Sequence, residues 1–278
     1  MFASYYIHTL DPVLLPVWGP LAIRWYGLAY LTGFALAWGL LWRWATRKQI
    51  PVEPHDVQTL MTAVIIGVML GGRLGYVLLY DFASFRQDPM TLFRLWEGGM
   101  ASHGGMLGLA LAVYWFAHTR QLSFFRITDV LSCIGPLGIF FGRIANFING
   151  ELWGRVTTVS WAVLFPQEAG LDPTEPGIKE TVLRYAEQGW IHPRHPSQLY
   201  SAALEGLLIF ATLMLVRQTA WAQRPGRLTA LFLFLYTAAR FTVEFFREPE
   251  IVHFGWLTQG QLLSLLLLIP AVYIMRAR

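Results

Sequence analysis

Gly142-Arg143-Ile144-Ala145-Asn146-Phe147-Ile148-Asn149-Gly150-Glu151-Leu152-Trp153-Gly154-Arg155 follows directly on an apolar run over residues 127–141. The run and its continuation are long enough for a membrane-crossing helix, so the helix ends in a guanidinium, two carboxamides and a carboxylate, with glycines between them. A helix continued through Gly150 puts Arg143, Asn146 and Gly150 at i, i+3 and i+7, with both polar side chains on one face. An isolated Arg at a helix end snorkels to the interface, and asparagines cap helices. The amides, the Glu and the glycines packed around this Arg outweigh that reading, because polar groups at membrane depth are costly unless something uses them. The face is a candidate anion site.

The rest of the chain sets the class. Of 278 residues 55% are hydrophobic and 14% charged, with mean hydropathy +0.45, more apolar surface than one soluble core could hide. The chain reads as an all-α integral membrane protein. Its net charge of +4 would suggest nucleic acid in a soluble protein, but here the basic residues report topology and no nucleic-acid partner is expected. The single cysteine, Cys133, sits in the apolar run, so neither a disulfide framework nor a thiolate metal site is expected.

Residues 1–18 lack Lys and Arg, the wrong opening for a cleaved signal peptide. Seven apolar spans follow, at 19–42, 57–80, 101–117, 127–148, 198–216, 228–246 and 257–275, each of the length that ~30 Å of hydrocarbon requires. Alternate connections collect Arg43, Arg47 and Lys48, then Arg120 and Arg126, then Arg217, Arg224 and Arg227, and last Arg276 and Arg278. The opposite short loops hold only Arg86, Arg94 and Arg247, so the positive-inside rule predicts an outside N-terminus and a cytoplasmic C-terminus. The expected organisation is four helices over 1–150, an extracytoplasmic head over 151–197 and three helices over 198–278. A connection of that length is a small domain or a functional loop, and alternation over 159–165 predicts a short strand in it. Glycines at 67, 71 and 75, at 104 and 108, and at 135, 138 and 142 have the spacing that lets helix backbones approach in lipid.

Ionisable residues inside the spans carry the functional reading: Arg24, Arg73, His103, Arg143, Arg240 and Glu244. Counted back from the outer ends of their spans, Arg73, Arg143 and Arg240 lie ~8 to 11 Å below the outer surface. Arg24, Tyr26 and His103 lie near the outer ends of theirs. An ion pathway would string charges through the whole thickness and would want carboxylates. Guanidinium forks instead suit a phosphate, such as that of a phospholipid in the outer leaflet. Pairing with a carboxylate such as Glu97, Glu151 or Glu244 is the expected fate of one or two of these arginines.

The pattern G-R-x-x-N-F-x-N-x-E-x-x-G from Gly142 to Gly154 resembles the signature of the bacterial prolipoprotein diacylglyceryl transferases. Ile23-Arg24-Trp25-Tyr26-Gly27-Leu28, Gly98-Gly99-Met100-Ala101-Ser102-His103-Gly104-Gly105 and Arg194-His195-Pro196-Ser197-Gln198-Leu199-Tyr200 also look like that family. So do Tyr236, Arg240-Phe241-Thr242-Val243-Glu244-Phe245-Phe246-Arg247 and Thr258-Gln259-Gly260-Gln261. The resemblance spans nearly the whole chain and is poorest over 156–190.

The resemblance implies transfer of the diacylglyceryl group of phosphatidylglycerol to the thiol of a prolipoprotein's lipobox cysteine, with release of glycerol phosphate. It implies a monomeric multi-pass transferase of the bacterial inner membrane, its active site toward the outer leaflet, with no cofactor and no metal. The substrate supplies the nucleophile, so the enzyme needs a base near the thiol and cations on the leaving phosphate. On this reading His103 is the base, since a neutral imidazole takes a thiol proton near pH 7. Arg143 and Arg240 hold the phosphate, and Asn146, Glu151 and Gly154 shape the headgroup site. Tyr26 and Tyr236 donate hydrogen bonds or serve as the alternative base. A transporter or flippase of an anionic lipid or solute is the alternative; transporters commonly show inverted repeats or paired broken helices, and neither appears here.

Overall fold

The computed structural model describes residues 2–18, 21–94, 98–249, 251–253 and 255–276. In chain order it has strands β1 (Tyr6–Ile7), β2 (Val13–Trp18) and β3 (Leu21–Arg24), then helices α1 (Trp25–Thr46), α2 (Val57–Leu79), α3 (Phe82–Gln87), α4 (Ser102–Thr119) and α5 (Phe124–Asn149). Strand β4 (Val163–Leu164), helix α6 (Ile178–Glu187) and strand β5 (Pro193–Arg194) follow. Helix α7 (Ser197–Ser201), a π-helical segment (Ala202–Leu208) and α8 (Ile209–Val216) run on as one helix, and α9 (Arg227–Val243) comes next. Strands β6 (Val252–His253) and β7 (Leu257–Thr258) precede α10 (Gln259–Leu266) and α11 (Leu268–Arg276).

Among the described residues, Pro54–Leu79, Phe124–Asn149, Ser197–Val216 and Gln259–Arg276 are long and apolar enough to cross a membrane. The other three long helices are not among them. Trp25–Thr46 and Ser102–Thr119 mix Trp, Tyr, His and Gly with their aliphatic residues, and Arg227–Val243 has only 17 residues.

The first helix begins at Trp25, not at residue 19 as the hydropathy predicts. Residues before it form the antiparallel hairpin β2–β3, in which Val13 pairs with Arg24 and Pro16 with Ala22. Apolar content alone does not separate the two forms; Pro16 keeps β2 out of a helix, because proline removes a helix hydrogen bond and is tolerated at strand edges, and pairing with β2 carries residues 21–24 into β3. Arg24 therefore ends a strand and lies outside any helix.

The chain divides into two compact units. One comprises residues 38–131. Within it α2 and α4 meet along their glycines: a Cβ on Gly71 would stand 2.8 Å from the Cα of Gly108, and one on Gly75 2.8 Å from the Cα of Gly104. Only hydrogen fits between the two backbones. Asp56, buried at the start of α2, pairs with Arg120 at the end of α4 at 2.7 Å. The same packing does not hold for the glycines of α5. A Cβ on Gly135, Gly138 or Gly142 would meet nothing within 4 Å, so there the spacing marks open space, apart from the approach of Gly33 to Gly138.

The other unit comprises residues 1–37 and 132–278. Its polar part is a three-stranded sheet in the order β1-β4-β5, parallel between the first two and antiparallel between the last two. The expected strand over 159–165 is confined to β4, because a turn occupies Ser160 and Trp161. Helix α6 lays Ile178, Val182 and Ala186 against Leu164 and Ile191, the i, i+4, i+8 stripe of an amphipathic helix. Phe2, Tyr5 and Ile7 pack on the same cluster, so the first residues of the chain complete a core that the 151–197 segment only begins.

Candidate active site

Helix α5 stops at Gly150, whose φ of 65° is the left-handed cap that glycine takes readily. The Glu151 amide then returns to the Asn146 carbonyl at 3.1 Å, which turns the Glu151 side chain back over the helix end. Its carboxylate accepts from Asn146 Nδ2 at 2.7 Å and from Asn149 Nδ2 at 3.4 Å. Gln198, at the start of α7, holds the Glu151 carbonyl at 2.7 Å. The two carboxamides predicted near Arg143 thus orient a carboxylate.

Gly154 is a crossing point of backbones. Its N–H donates to the His195 carbonyl at 2.9 Å, and its carbonyl accepts from Arg194 at 3.1 Å. A Cβ would overlap the carbonyls of Phe246 and His195, so no other residue fits.

Arg143, on α5, and Arg240, on α9, converge on one carboxylate. Glu205 accepts from Arg143 Nη2 at 3.3 Å through one oxygen and from Arg240 Nη1 at 3.4 Å through the other. Glu205 is fully buried in the π-helical turn. Its neighbour Gly206 brings that turn against Phe140 of α5, one turn before Arg143, where a Cβ would stand 2.7 Å from the Phe140 Cβ. Single π turns of this kind recur at functional sites. Arg240 also pairs with Glu244 one turn on. Glu244 is anchored by the Thr258 hydroxyl at 2.7 Å, and Gly260 leaves room for its carboxylate. Thr258 and Gln261 form a capping box that starts α10, which accounts for the Thr258–Gln261 motif in structural terms.

Tyr26 lies within electrostatic range of Glu151 and Arg143, and its hydroxyl is 3.3 Å from that of Tyr30. Tyr236 lies within range of Glu205, Arg240 and Arg143 and stacks on Phe232. The residues 1–37 and 132–278 therefore bring together Tyr26, Arg143, Asn146, Glu151, Tyr236 and Arg240. His103 belongs to the other unit, exposed in the first turn of α4.

Two sequence expectations are corrected here. Arg73 is no ligand clamp: it is 5% exposed and spends its guanidinium on the carbonyls of Thr91, Leu92, Arg94, Gly98 and Gly99. Glu205, the carboxylate shared by the two site arginines, was not among the expected partners, although it lies inside the 198–216 span and the rule that picks out Arg143 applies to it equally. Asp129, buried in α5, falls under the same rule. Glu97 lies outside the described residues.

Beside the site, Glu168 accepts from Arg194 at 2.6 Å and from the His192 backbone and ring at 3.1 Å. Burial works to raise this carboxyl, and the hydrogen bonds from Arg194 and His192 outweigh it and hold it below the usual range. Arg194 also reaches Glu248 at 3.0 Å and lies over the Trp153 ring, tying the sheet to the chain beyond α9. Burial lowers His195.

Chemically, two guanidiniums converging on a pair of oxygens can hold a phosphate, with hydroxyl, carboxamide and carboxylate groups around it. Among the described residues no cluster of His, Cys, Asp and Glu could hold a metal ion.

These helices and this arginine pair define a helical membrane protein with two partly buried guanidiniums among its helices. The chain belongs to the prolipoprotein diacylglyceryl transferase family, whose model matches residues 12–277. It is 44% identical over 273 residues to a phosphatidylglycerol–prolipoprotein diacylglyceryl transferase of Idiomarina loihiensis, covering 95% of this chain and 90% of that protein. It is 41% identical over 270 residues to the protein of that name from Photorhabdus laumondii, covering 96% and 91%. A third, from Nitratidesulfovibrio vulgaris, is 42% identical over 272 residues, covering 96% and 94%.

Proposed function

We infer that this protein moves the diacylglyceryl group of phosphatidylglycerol onto a cysteine thiol of a prolipoprotein and releases glycerol phosphate. The observation that carries this is the family match over residues 12–277, which embraces the whole arginine–carboxylate cluster. A base takes the thiol proton, and the thiolate attacks the glyceryl carbon that bears the phosphate. The carbon–oxygen electron pair then leaves with the phosphate. Arg143 and Arg240 hold that phosphate and stabilise the charge it gains, which is where preorganised cations are most effective. Asn146 and Glu151 orient the headgroup, Gly154 fixes the loop that carries Glu151, and His103 takes the proton, with Tyr26 and Tyr236 as hydrogen-bond donors. Cys133 is buried and plays no part.

The basic residues at alternate helix ends support seven spans with the N-terminus outside, a periplasmic head over 151–197 and the site toward the outer leaflet of a bacterial inner membrane. The acceptor is then the lipobox cysteine of an exported chain at that surface, and the protein works as a monomer. A lipid transporter lined by the same arginines is the weaker reading, since the family match over residues 12–277 supports a transferase. Purified protein incubated with phosphatidylglycerol and a lipobox peptide should add the diacylglyceryl mass to the peptide; an unmodified peptide beside intact lipid would refute the proposed transfer.

A further inference from the structure

Each oxygen of Glu205 takes one guanidinium, as two oxygens of a bound phosphate would. Both contacts, at 3.3 and 3.4 Å, exceed the roughly 2.7–2.9 Å of a firm charge-assisted bond. Glu244, by contrast, grips Arg240 closely and is itself anchored by Thr258. Two arginines and two glutamates balance, so the arginine pair by itself offers no surplus charge.

We propose that Glu205 makes the arginine pair favour a singly charged phosphodiester over a doubly charged phosphate monoester, and so lets the leaving phosphate go. This rests on the reading that Arg143 and Arg240 hold the lipid phosphate. The lipid enters as a diester with one negative charge. Once the carbon–oxygen bond breaks, the phosphate is a monoester, which carries nearly two charges above a second pKa of about 6. Two bare guanidiniums would hold that product more tightly than the substrate. A buried carboxylate lodged between them repels the second charge, because like charges a few ångströms apart disfavour each other strongly away from water. The π turn fixes Glu205 there, since Gly206 packs directly on Phe140 and leaves the turn no room to withdraw.

The test is inhibition of transfer at pH 7.5 by two soluble anions, glycerol phosphate and the diester glycerophosphoglycerol, with wild type and Glu205→Gln. In wild type the diester should inhibit at least as well as the monoester. In Glu205→Gln the inhibition constant of the monoester should fall about tenfold and that of the diester far less. A wild type that prefers the monoester, or a variant with an unchanged ratio, overturns the proposal. Should Glu205→Gln not fold, the wild-type preference decides, together with Glu205→Asp, which keeps the charge and should keep the preference. Lipid binding by Arg143→Ala separates the two readings. If it is undiminished and neither anion competes in wild type, the phosphate clamp itself fails; if it is weakened while the ratio stays fixed, only the role of Glu205 fails.

Discussion

Asn146 Nδ2 donates to the Glu151 carboxylate at 2.7 Å across the glycine that ends α5. The helix terminus and the first residue beyond it are thereby locked as one polar unit. Asn146 is 8% exposed, so removing its amide leaves a half-buried carboxylate held, among the described residues, by the longer contact from Asn149. We expect Asn146→Ala to lower transfer about 10²-fold, the usual penalty for displacing a positioned group by an ångström. Glu151→Gln, which keeps the shape and one acceptor, should lose less. The two rates under saturating lipid check this; equal losses would mean that charge at residue 151, not its placement, is what transfer needs.

Arg143 and Arg240 differ in how firmly they are held. Arg240 has Glu244 as well as Glu205, whereas the hydrogen bonding of Arg143 among the described residues is to Glu205 alone. Alanine at either position should abolish transfer while the protein still reaches the membrane. Lysine should rescue poorly at both, because an ammonium cannot present the guanidinium fork to two oxygens. Arg240→Ala should also lower the thermal unfolding midpoint more than Arg143→Ala, since it strands Glu244 in a buried position. Near-normal turnover with lysine at both sites would reduce the clamp to simple charge.

The polar head should be acid-sensitive in two stages. Burial pushes the His8 imidazole below its ordinary 6.5; its Nε2 faces the Phe147 carbonyl at 2.7 Å. The unfolded chain therefore takes up this proton first, so the stabilisation is complete above pH 6.5 and falls as pH drops below it. Glu168 shifts the other way, below its ordinary 4.5, so its contribution is present above pH 4.5 and is lost as pH falls through the folded value. Hydrogen exchange of the α6 amides should be constant between pH 8 and 7 once corrected for intrinsic rates, then lose protection below 6.5 and again below 4.5. His8→Gln should shrink the first stage to what the buried His195 contributes and leave the second unchanged. Protection that stays flat from pH 7 to 5 in wild type would contradict the buried neutral imidazole.

Hydropathy placed most helices to within a few residues, because the length a helix needs in hydrocarbon is a strong constraint on sequence. It failed at residues 21–24, where an apolar strand and an apolar helix have the same composition and pairing with β2 decides between them. Chemistry at a distance was harder to see. The arginines at 73 and 143 are indistinguishable by residue type and depth. Only the fold separates Arg73, surrounded by carbonyls, from Arg143, whose guanidinium meets a carboxylate shared with Arg240. Glu205 was legible as a charge inside a span, yet its register against Arg143 depends on a π turn that no periodicity announces.

That carbonyl cage gives Arg73 its own test. One buried guanidinium serves the carbonyls of five residues between Thr91 and Gly99, just before the turn that leads to His103. A lysine has three donors from a single point and cannot reach them all. Arg73→Lys should cost about 3 kcal/mol of stability, the range for leaving buried carbonyls unpaired. It should also expose residues 88–94 to limited proteolysis before the rest of the chain. A variant that resists protease as wild type does would mean that the segment is held by other contacts.

His103 stands in the first turn of α4, exposed, behind Gly98 and Gly99, both with φ near 80°. A cysteine at the junction of a signal peptide and its mature chain reaches the outer surface on export, the level at which the seven-span reading puts this turn. A free thiol has a pKa of about 8.5, so at neutral pH only a few per cent is thiolate and a nearby base raises that fraction. His103→Gln keeps the size and hydrogen bonding of the side chain but cannot accept the proton. It should lose most of the rate at pH 7 and recover part of it as pH rises toward the pKa of the thiol, because solvent then supplies the thiolate that the imidazole no longer generates. A structural role as a helix cap predicts instead a deficit of the same size at every pH. The pH–rate profiles of wild type and variant, with lipid and peptide both saturating, separate the two. A variant that turns over normally at pH 7, or one whose deficit does not change with pH, would move the base to Tyr26 or Tyr236.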